Sequence, residues 1–389
     1  MYRGDNRRTV LVVDGSRGSA LAAVRSLGRA GWRVIAPAGT PAAASRHAAE
    51  TTTVPDAVRC PREFVDAIDR LAGAGGIDLV APSTDAALYL LHERCDPGTA
   101  IPVLGGSRSS FRATASKSTL LATAAAAGFP TPAWGAPASA QEARRLSAEI
   151  GFPCVVKPRH SYVLRERFRH RRHRIVHTHA ELDDAVAALA EADGTPPLVQ
   201  AFVSGRSLSV SAVIDHGETV ALAVRETRSF DPPKGGTSVW KRTLSVSEPG
   251  VDAALRLLEA IGFQGLAEVE YQVDAAGRPR LMEINPRLHG WTSLAVAAGA
   301  DLPLAAGRAA VGEPCGRPMV ARPGVESRWL GGEVSRIRQL LRRRPELPPG
   351  RTRLGELRQA WPPWRPGMRY DGLDLADPRP AFARLLGRS

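Results

Sequence analysis

"AEVEYQVDAAGRPRLMEINPR", residues 267–287, is the stretch on which the rest of the chain turns. Two runs of alternating character flank "DAAG" (274–277), which has Asp first and Gly last, as a four-residue turn prefers. The pattern predicts a β-hairpin. Successive strand side chains point to opposite faces, so Glu283, Asn285 and Arg287 share one face and Met282 and Ile284 the other. With Val273 opposite Arg278, Glu283 faces Glu268, Glu270 is the diagonal neighbour, and Asn285 lies one pleat further on. Diagonal neighbours are about 7–8 Å apart, within reach of one ion or a close pair of ions. Carboxylate and amide oxygens are hard ligands, suited to Mg²⁺ that also holds phosphates. On spacing alone a second reading stands beside it: an acid cluster neutralised by arginines on a solvated face.

Composition narrows the class. With 389 residues the chain can bury a substantial core in two or three domains, and 43% hydrophobic and 23% charged residues are ordinary for a globular protein. No apolar run is long enough to span a bilayer, and the apolar run near the start stops at Asp14, too short for a secretory signal. Cys60, Cys95, Cys154 and Cys315 are scattered, indicating neither a zinc site nor a disulfide framework. A cytoplasmic location is therefore expected, with no membrane partner. The net charge of +13 raises the question of nucleic acid, but aromatics are only 5% and RNA-binding motifs are absent, so nucleic acid is not expected. Richness in Ala, Arg, Gly and Pro together accounts for the charge more simply.

Upstream, "TVLVVDG" (9–15), the amphipathic "SALAAVRSLGRAG" and "WRVIAP" (32–37) form a strand–helix–strand unit. "IDLVAPSTDAALYLL" (77–91) repeats it with a polar turn at Ser83–Asp85, and "IPVLGG" (101–106) closes a doubly wound region. The turn "DGSRGS" (14–19) lacks the third glycine of a dinucleotide fingerprint and is read as a tight turn. Helices are predicted at 116–128 and 140–151, each stopped by glycine, then at 250–263 and 333–344, and strands at "CVVKP", "PPLVQAFVSGRSLSVSAVID" and "ETVALAVRE".

The hairpin, taken with what precedes it, resembles the metal-binding signature of the ATP-grasp superfamily, in particular its carbamoyl-phosphate synthase-like and carboxylate–amine ligase branch. That resemblance implies an α/β protein: a Rossmann-like domain (1–108), two ATP-grasp lobes (109–197 and 198–320) sandwiching ATP, and a basic C-terminal extension (321–389). It implies Glu270, Glu283 and Asn285 as ligands of two Mg²⁺ (or Mn²⁺) ions, with Arg287 near the transferred phosphoryl group. "SKSTLLATAAAAGFPTP" places Lys117, and "GFPCVVKP" places Lys157, at the nucleotide. "LVQAFVSG" puts Gln200, Ala201, Phe202 and Val203 at the adenine, and Ser207 stands where the ribose-binding acid is usual. "PKGGTSVWK" (233–241) is similar to a glycine pair near the substrate. The implied activity is ADP-forming ligation of a small carboxylate to an amine by a monomer or homodimer.

Two departures stand out. "KPRHSYVLRERFRHRRHRIV" (157–176) has no glycine where the family has a glycine-rich loop, leaving either a basic lid or a solvated hairpin tip. Ser207 is a weaker ribose ligand than a carboxylate. A carbamoyl-phosphate-type or other phosphoryl-transfer enzyme, or a nucleotide binder without turnover, are the competing functions. His160, His289, Trp240 and Trp291 are expected to be surface or packing residues, and Glu268 a third ligand or an orienting acid for Arg287.

Overall fold

The computed structural model describes residues 7–99, 101–160, 162–164, 168–170, 173–190, 194–233, 236–342, 347, 350–362, 364–365 and 367–385. Side chains of 161–172 and of Thr99 and Leu385 lie outside that description.

The N-terminal sheet is parallel, in the order Glu50–Thr52, Arg33–Pro37, Thr9–Val12, Leu79–Ala81. Its central strand is apolar on both sides because helices cover both. Val10 and Val12 pack with helix Gly18–Arg29, while Leu11 and Val13 pack with Pro61–Gly73 and Asp85–Glu93. Strand order reverses between Thr9–Val12 and Leu79–Ala81, the point where such sheets present their loops to a ligand. "IPVLGG" contributes isolated bridges, Val103 to Val80 in this sheet and Gly106 to Gly265.

A second, antiparallel sheet runs Trp134–Gly135, Leu198–Ala201, Cys154–Lys157, Arg174–Val176, backed by helices Ala140–Ile150 and His179–Leu189. The expected stops hold: Gly128 and Gly151 take φ of +77° and +86°, a conformation costly for any residue with a Cβ.

The third and largest sheet runs Pro279–Asn285, Gly265–Val273, Arg206–Asp215, Glu218–Asp231, Thr237–Leu244, Glu326–Arg328, Arg369–Tyr370, with Met319–Val320 beside Glu218–Asp231. One face is apolar: Leu208, Val210 and Ala212 meet Ala254, Leu257 and Leu258 of helix Val251–Ala260. The other face carries Ser207, Ser209 and Ser211 on the same strand. The two strands added from the C-terminal part show that the extension packs into this sheet rather than trailing from it. Asp377 binds Arg25 of the first helix at 2.8 Å, and Asp371 pairs with the buried Lys241. The helix expected at 333–344 starts earlier, at Leu330, and runs to Arg342.

The hairpin forms, with a different register. Asp274 N donates to Arg278 O at 3.0 Å, so these two residues pair and Gly277, at φ +74°, is an extra residue beside the turn. Val273 therefore faces Pro279. A second irregularity follows: Tyr271 pairs with Leu281 but Glu270 with Glu283, leaving Met282 unmatched. Two one-residue shifts return the acids to a common face while changing their partners. Glu283 lies opposite Glu270, not Glu268, and Glu268 lies opposite Asn285. Strict alternation also fails, since Leu281 and Ile284 share one core with Val269 and Tyr271. The cause is that a side-chain period of two cannot be kept across an unpaired residue.

Candidate functional site

The polar face of the large sheet brings the predicted acids together. Asn285 Nδ2 donates to Glu270 Oε1 at 3.1 Å and to Glu268 Oε2 at 3.2 Å. Arg225, from Glu218–Asp231, stands 3.6 Å from Glu268 and is held by Ser209 Oγ (2.9 Å) and Ser238 Oγ (2.7 Å). Trp291 Nε1 donates to Glu268 Oε1 at 2.5 Å. Glu268 is thus an orienting acid for Arg225, Trp291 and Asn285.

Electrostatics separate the two paired acids. Burial works to raise Glu268, but the charges of Arg225 and Arg287 and the Trp291 bond hold it well below the usual carboxylate range. Glu270 is pushed well above that range, by burial first and then by the charges of Glu268 and Glu283. Among the described residues neither Glu270 nor Glu283 has a cation within ion-pair distance, and the Asn285 amide is the nearest donor to Glu270. No three His, Cys, Asp or Glu side chains converge as a cage among the described residues. Two acids and an amide instead fit a hard divalent ion that completes its shell with phosphate oxygens.

Lysines reach the same place from the other sheet. Lys157 ends strand Cys154–Lys157, and burial lowers its pKa to about 8. Glu283 and Glu270 work to raise it and Lys117 to lower it, so all three lie near enough to act on Lys157. Lys117 opens helix Lys117–Ala126, capped by Ser116, and its backbone N donates to Arg159 O at 3.4 Å, tying the helix to the strand's end. Gln200 and Ala201 lie on the neighbouring strand Leu198–Ala201; Gln200 is 1% exposed and its Oε1 has no partner among the described residues. Phe202 and Val203 follow in the link to Arg206–Asp215, half-buried. Ser207, opposite Gln272, is two pairs along from Ser209 and Glu270 and so on the same face.

Arg287 follows the strand after Pro286. Its Nε and Nη2 donate to the two carboxylate oxygens of Asp85 at 2.7 and 2.9 Å, and Nη2 also donates to Asn285 Oδ1 at 3.2 Å. Asp85, not Glu268, is its acid. His289 is buried: its Nε2 lies 2.6 Å from Ser211 Oγ, and burial lowers its pKa to about 4, leaving it neutral. Trp291 is buried beside it at 4.6 Å between ring centroids, a packing role as expected. Trp240 lies under the Arg328 guanidinium at 4.4 Å. Sequence reasoning missed Arg225 and Asp85. Arg225 had a signal, a charge inside the apolar run "ETVALAVRE"; Asp85 had only its place in a polar turn.

Of the segment 157–176, the strands Tyr162–Leu164 and Phe168–His170 pair as an antiparallel hairpin, while the side chains that would make it a lid lie outside the described residues. The same is true of Lys234 and Gly235 of "PKGGTSVWK". No helix among the described residues is long and apolar enough to cross a membrane.

Comparison with known proteins agrees with this arrangement. Residues 193–332 match the family described as ATP-grasp in the biosynthetic pathway with Ter operon. The carbamoyl phosphate synthase large chain of Micrococcus luteus is 26% identical over 266 residues, 64% of this chain and 23% of that protein. That of Corynebacterium glutamicum is 28% identical over 228 residues, 54% of this chain and 19% of that protein. The chain spans about a fifth of the length of these curated relatives. Among solved structures, a biotin carboxylase–β-γ-ATP complex from Campylobacter jejuni superposes with a TM-score of 0.63 at 18% identity, covering 79% of this chain and 71% of that one. N5-carboxyaminoimidazole synthetase from Staphylococcus aureus does so at 0.62 and 13% identity, covering 82% and 81%. These likenesses establish the fold: an α/β ATP-grasp architecture. The acid pair on its hairpin lies within the matched residues 193–332, and that part of the chain is similar to an ATP-grasp domain.

Proposed function

We propose that this chain is an ATP-dependent, ADP-forming ligase that activates a carboxylate as an acylphosphate for attack by an amine. The observation that carries the reading is the facing pair Glu270 and Glu283, with Asn285 bonded to the first and Lys157 and Lys117 acting on the same point. Glu270, Glu283 and Asn285 would hold one or two Mg²⁺ (or Mn²⁺) ions. Bound there, such ions supply charge neutralisation across the β- and γ-phosphates. Lys117 and Lys157 bind the phosphates, Gln200 to Val203 line the adenine, and Ser207 meets the ribose. The unpartnered Gln200 Oε1 suits an N–H donor such as an exocyclic amine.

The chemistry asked of the protein is positioning and charge compensation. A carboxylate oxygen of the acceptor attacks the γ-phosphorus as the bond to the ADP oxygen breaks. The amine nitrogen then attacks the acyl carbon, phosphate leaves, and the nitrogen loses its proton. Arg287 steadies the charge on the moving phosphoryl group. In this reading the lobes 109–197 and 198–320 hold the nucleotide between them. A second reading, nucleotide binding without turnover, draws on the glycine-free segment after Lys157.

ADP release from MgATP, measured against pooled carboxylic acids and amines with Glu283→Gln beside wild type, tests the first reading. Release that needs a particular acid and disappears in the variant supports it. MgATP binding with no release from any pool favours the second. Release unchanged in Glu283→Gln would overturn the metal assignment.

A further inference from the structure

The polar turn Ser83–Asp85 belongs to the N-terminal sheet, yet it ends on the arginine next to the acid pair. Asp14 closes the first strand at φ +57°, and its Oδ2 accepts from Ser83 N and from Thr84 Oγ1, both at 3.0 Å. Thr84 in turn caps helix Asp85–Glu93 by accepting from Ala87 N at 3.1 Å. Asp85 is the first residue of that helix, where the aligned peptide dipoles favour a carboxylate. From this seat it takes Arg287 in a two-pronged bond, 202 residues away in sequence, and Arg287 passes the contact to Asn285 Oδ1. Asn285 Nδ2 faces Glu268 and Glu270. One continuous set of bonds thus joins the N-terminal sheet to the acid pair.

We infer that Asp85 is a positioning residue for Arg287: the N-terminal sheet sets the plane of the guanidinium that meets the transferred phosphoryl group. The inference rests on the reading of Arg287 given above. A fork-to-fork pair fixes the orientation of a guanidinium as well as its location, which a single bond does not. Arg287 lies beyond the end of its strand, so no ladder hydrogen bond orients it. Asp85 itself makes no step; it holds the group that does. The arrangement also explains why the N-terminal sheet turns its switch-point loop toward the hairpin.

The test uses the intact chain and equilibrium binding of MgADP, alone and with aluminium fluoride as a planar stand-in for the moving phosphoryl group. Wild type is expected to bind the fluoride complex more tightly than MgADP. Asp85→Asn should lose about 10- to 100-fold of that preference, with MgADP affinity unchanged. Arg287→Gln should lose as much, the double variant no more than Arg287→Gln alone, and Asp85→Glu should recover part. Preference retained in Asp85→Asn would overturn the inference. So would an equal further loss in the Arg287→Gln background, or a fall in melting temperature and MgADP affinity that Asp85→Glu does not repair; either marks a structural staple. Wild type that binds MgADP without preferring the fluoride complex removes the role of Arg287, and that of Asp85 with it. Wild type that binds no MgADP overturns the nucleotide reading itself.

Discussion

Two clusters of buried charge sit on the large sheet, one at each end, and they are built on opposite principles. At the C-terminal end, Glu333 lies 3.0 Å from Arg328 and 3.1 Å from Arg336, while Glu356 pairs with Arg336 and with Arg351 at 2.8 Å. Every acid there has arginine on it. At the hairpin end, Arg225 pairs with Glu268, among the described residues no ion pair is made by Glu270 or Glu283, and Glu270 is driven toward its neutral form. Closed charge of the first kind holds structure together. Open charge of the second kind costs free energy, since ionised carboxylates gathered out of water need compensation, and that cost is what the proposed metal reading would relieve.

The sharpest way to break this contrast is to neutralise one acid in each cluster. Glu283→Gln should lower Mg²⁺-dependent turnover by about 10³-fold, roughly 4 kcal/mol, with the melting temperature kept or raised. A large loss of stability would show that the hairpin acids are structural too. At the other end, Arg336→Met should destabilise the fold by about 3 kcal/mol, because it leaves buried Glu333 to Arg328 alone and Glu356 to Arg351 alone. Chemical denaturation reads this directly, and a change under about 1 kcal/mol would erase the distinction.

A third prediction sharpens the electrostatics of the open end. If Lys157 binds phosphate as proposed, it does so as a cation, and its folded pKa of about 8 lies below the ordinary lysine value. Its proton is therefore lost as pH rises through about 8, and MgADP affinity should fall several-fold between about pH 7 and 9 in calorimetric titrations. The sign for stability is opposite. Holding the charge in the folded chain is a cost present below about pH 8 and relieved as pH climbs toward the unfolded value, so without nucleotide this group makes the fold more stable over that window. Lys157→Arg should flatten the binding profile. A profile in wild type with no slope above neutrality would remove Lys157 from the phosphate site. The smallest effect belongs to Gly277, at φ +74° with open space around it: Gly277→Ala should cost about 1 kcal/mol through backbone strain alone, read as a small fall in melting temperature. A neutral result would mean that the turn relaxes, and with it the register that sets Glu283 opposite Glu270.

Much of the site was legible because its signals are local. Gly128 and Gly151 end their helices in the left-handed conformation that their spacing implied, and the hairpin turn falls at "DAAG" as read. The acids emerge on a common face even though both their partners and the alternation around Met282 were misassigned, because two single-residue shifts restore parity. Bulges leave little trace in a hydrophobic pattern, so register was beyond a strict alternation rule. The C-terminal extension was opaque for another reason. Its strand Arg369–Tyr370 is two residues long, and its anchors Asp371 and Asp377 look in sequence like any surface acids.

By itself the sequence determined which residue types are present, where helices and turns start and stop, and that an acid–acid–amide set lies within one hairpin. Those are matters of local stereochemistry and short spacing. Only the tertiary structure decided that Glu270 faces Glu283, that Arg225 spends its charge on Glu268, and that Arg287 is gripped by Asp85 from another sheet. Electrostatic partners are chosen by proximity in space and by burial, and neither is a property of neighbours along the chain.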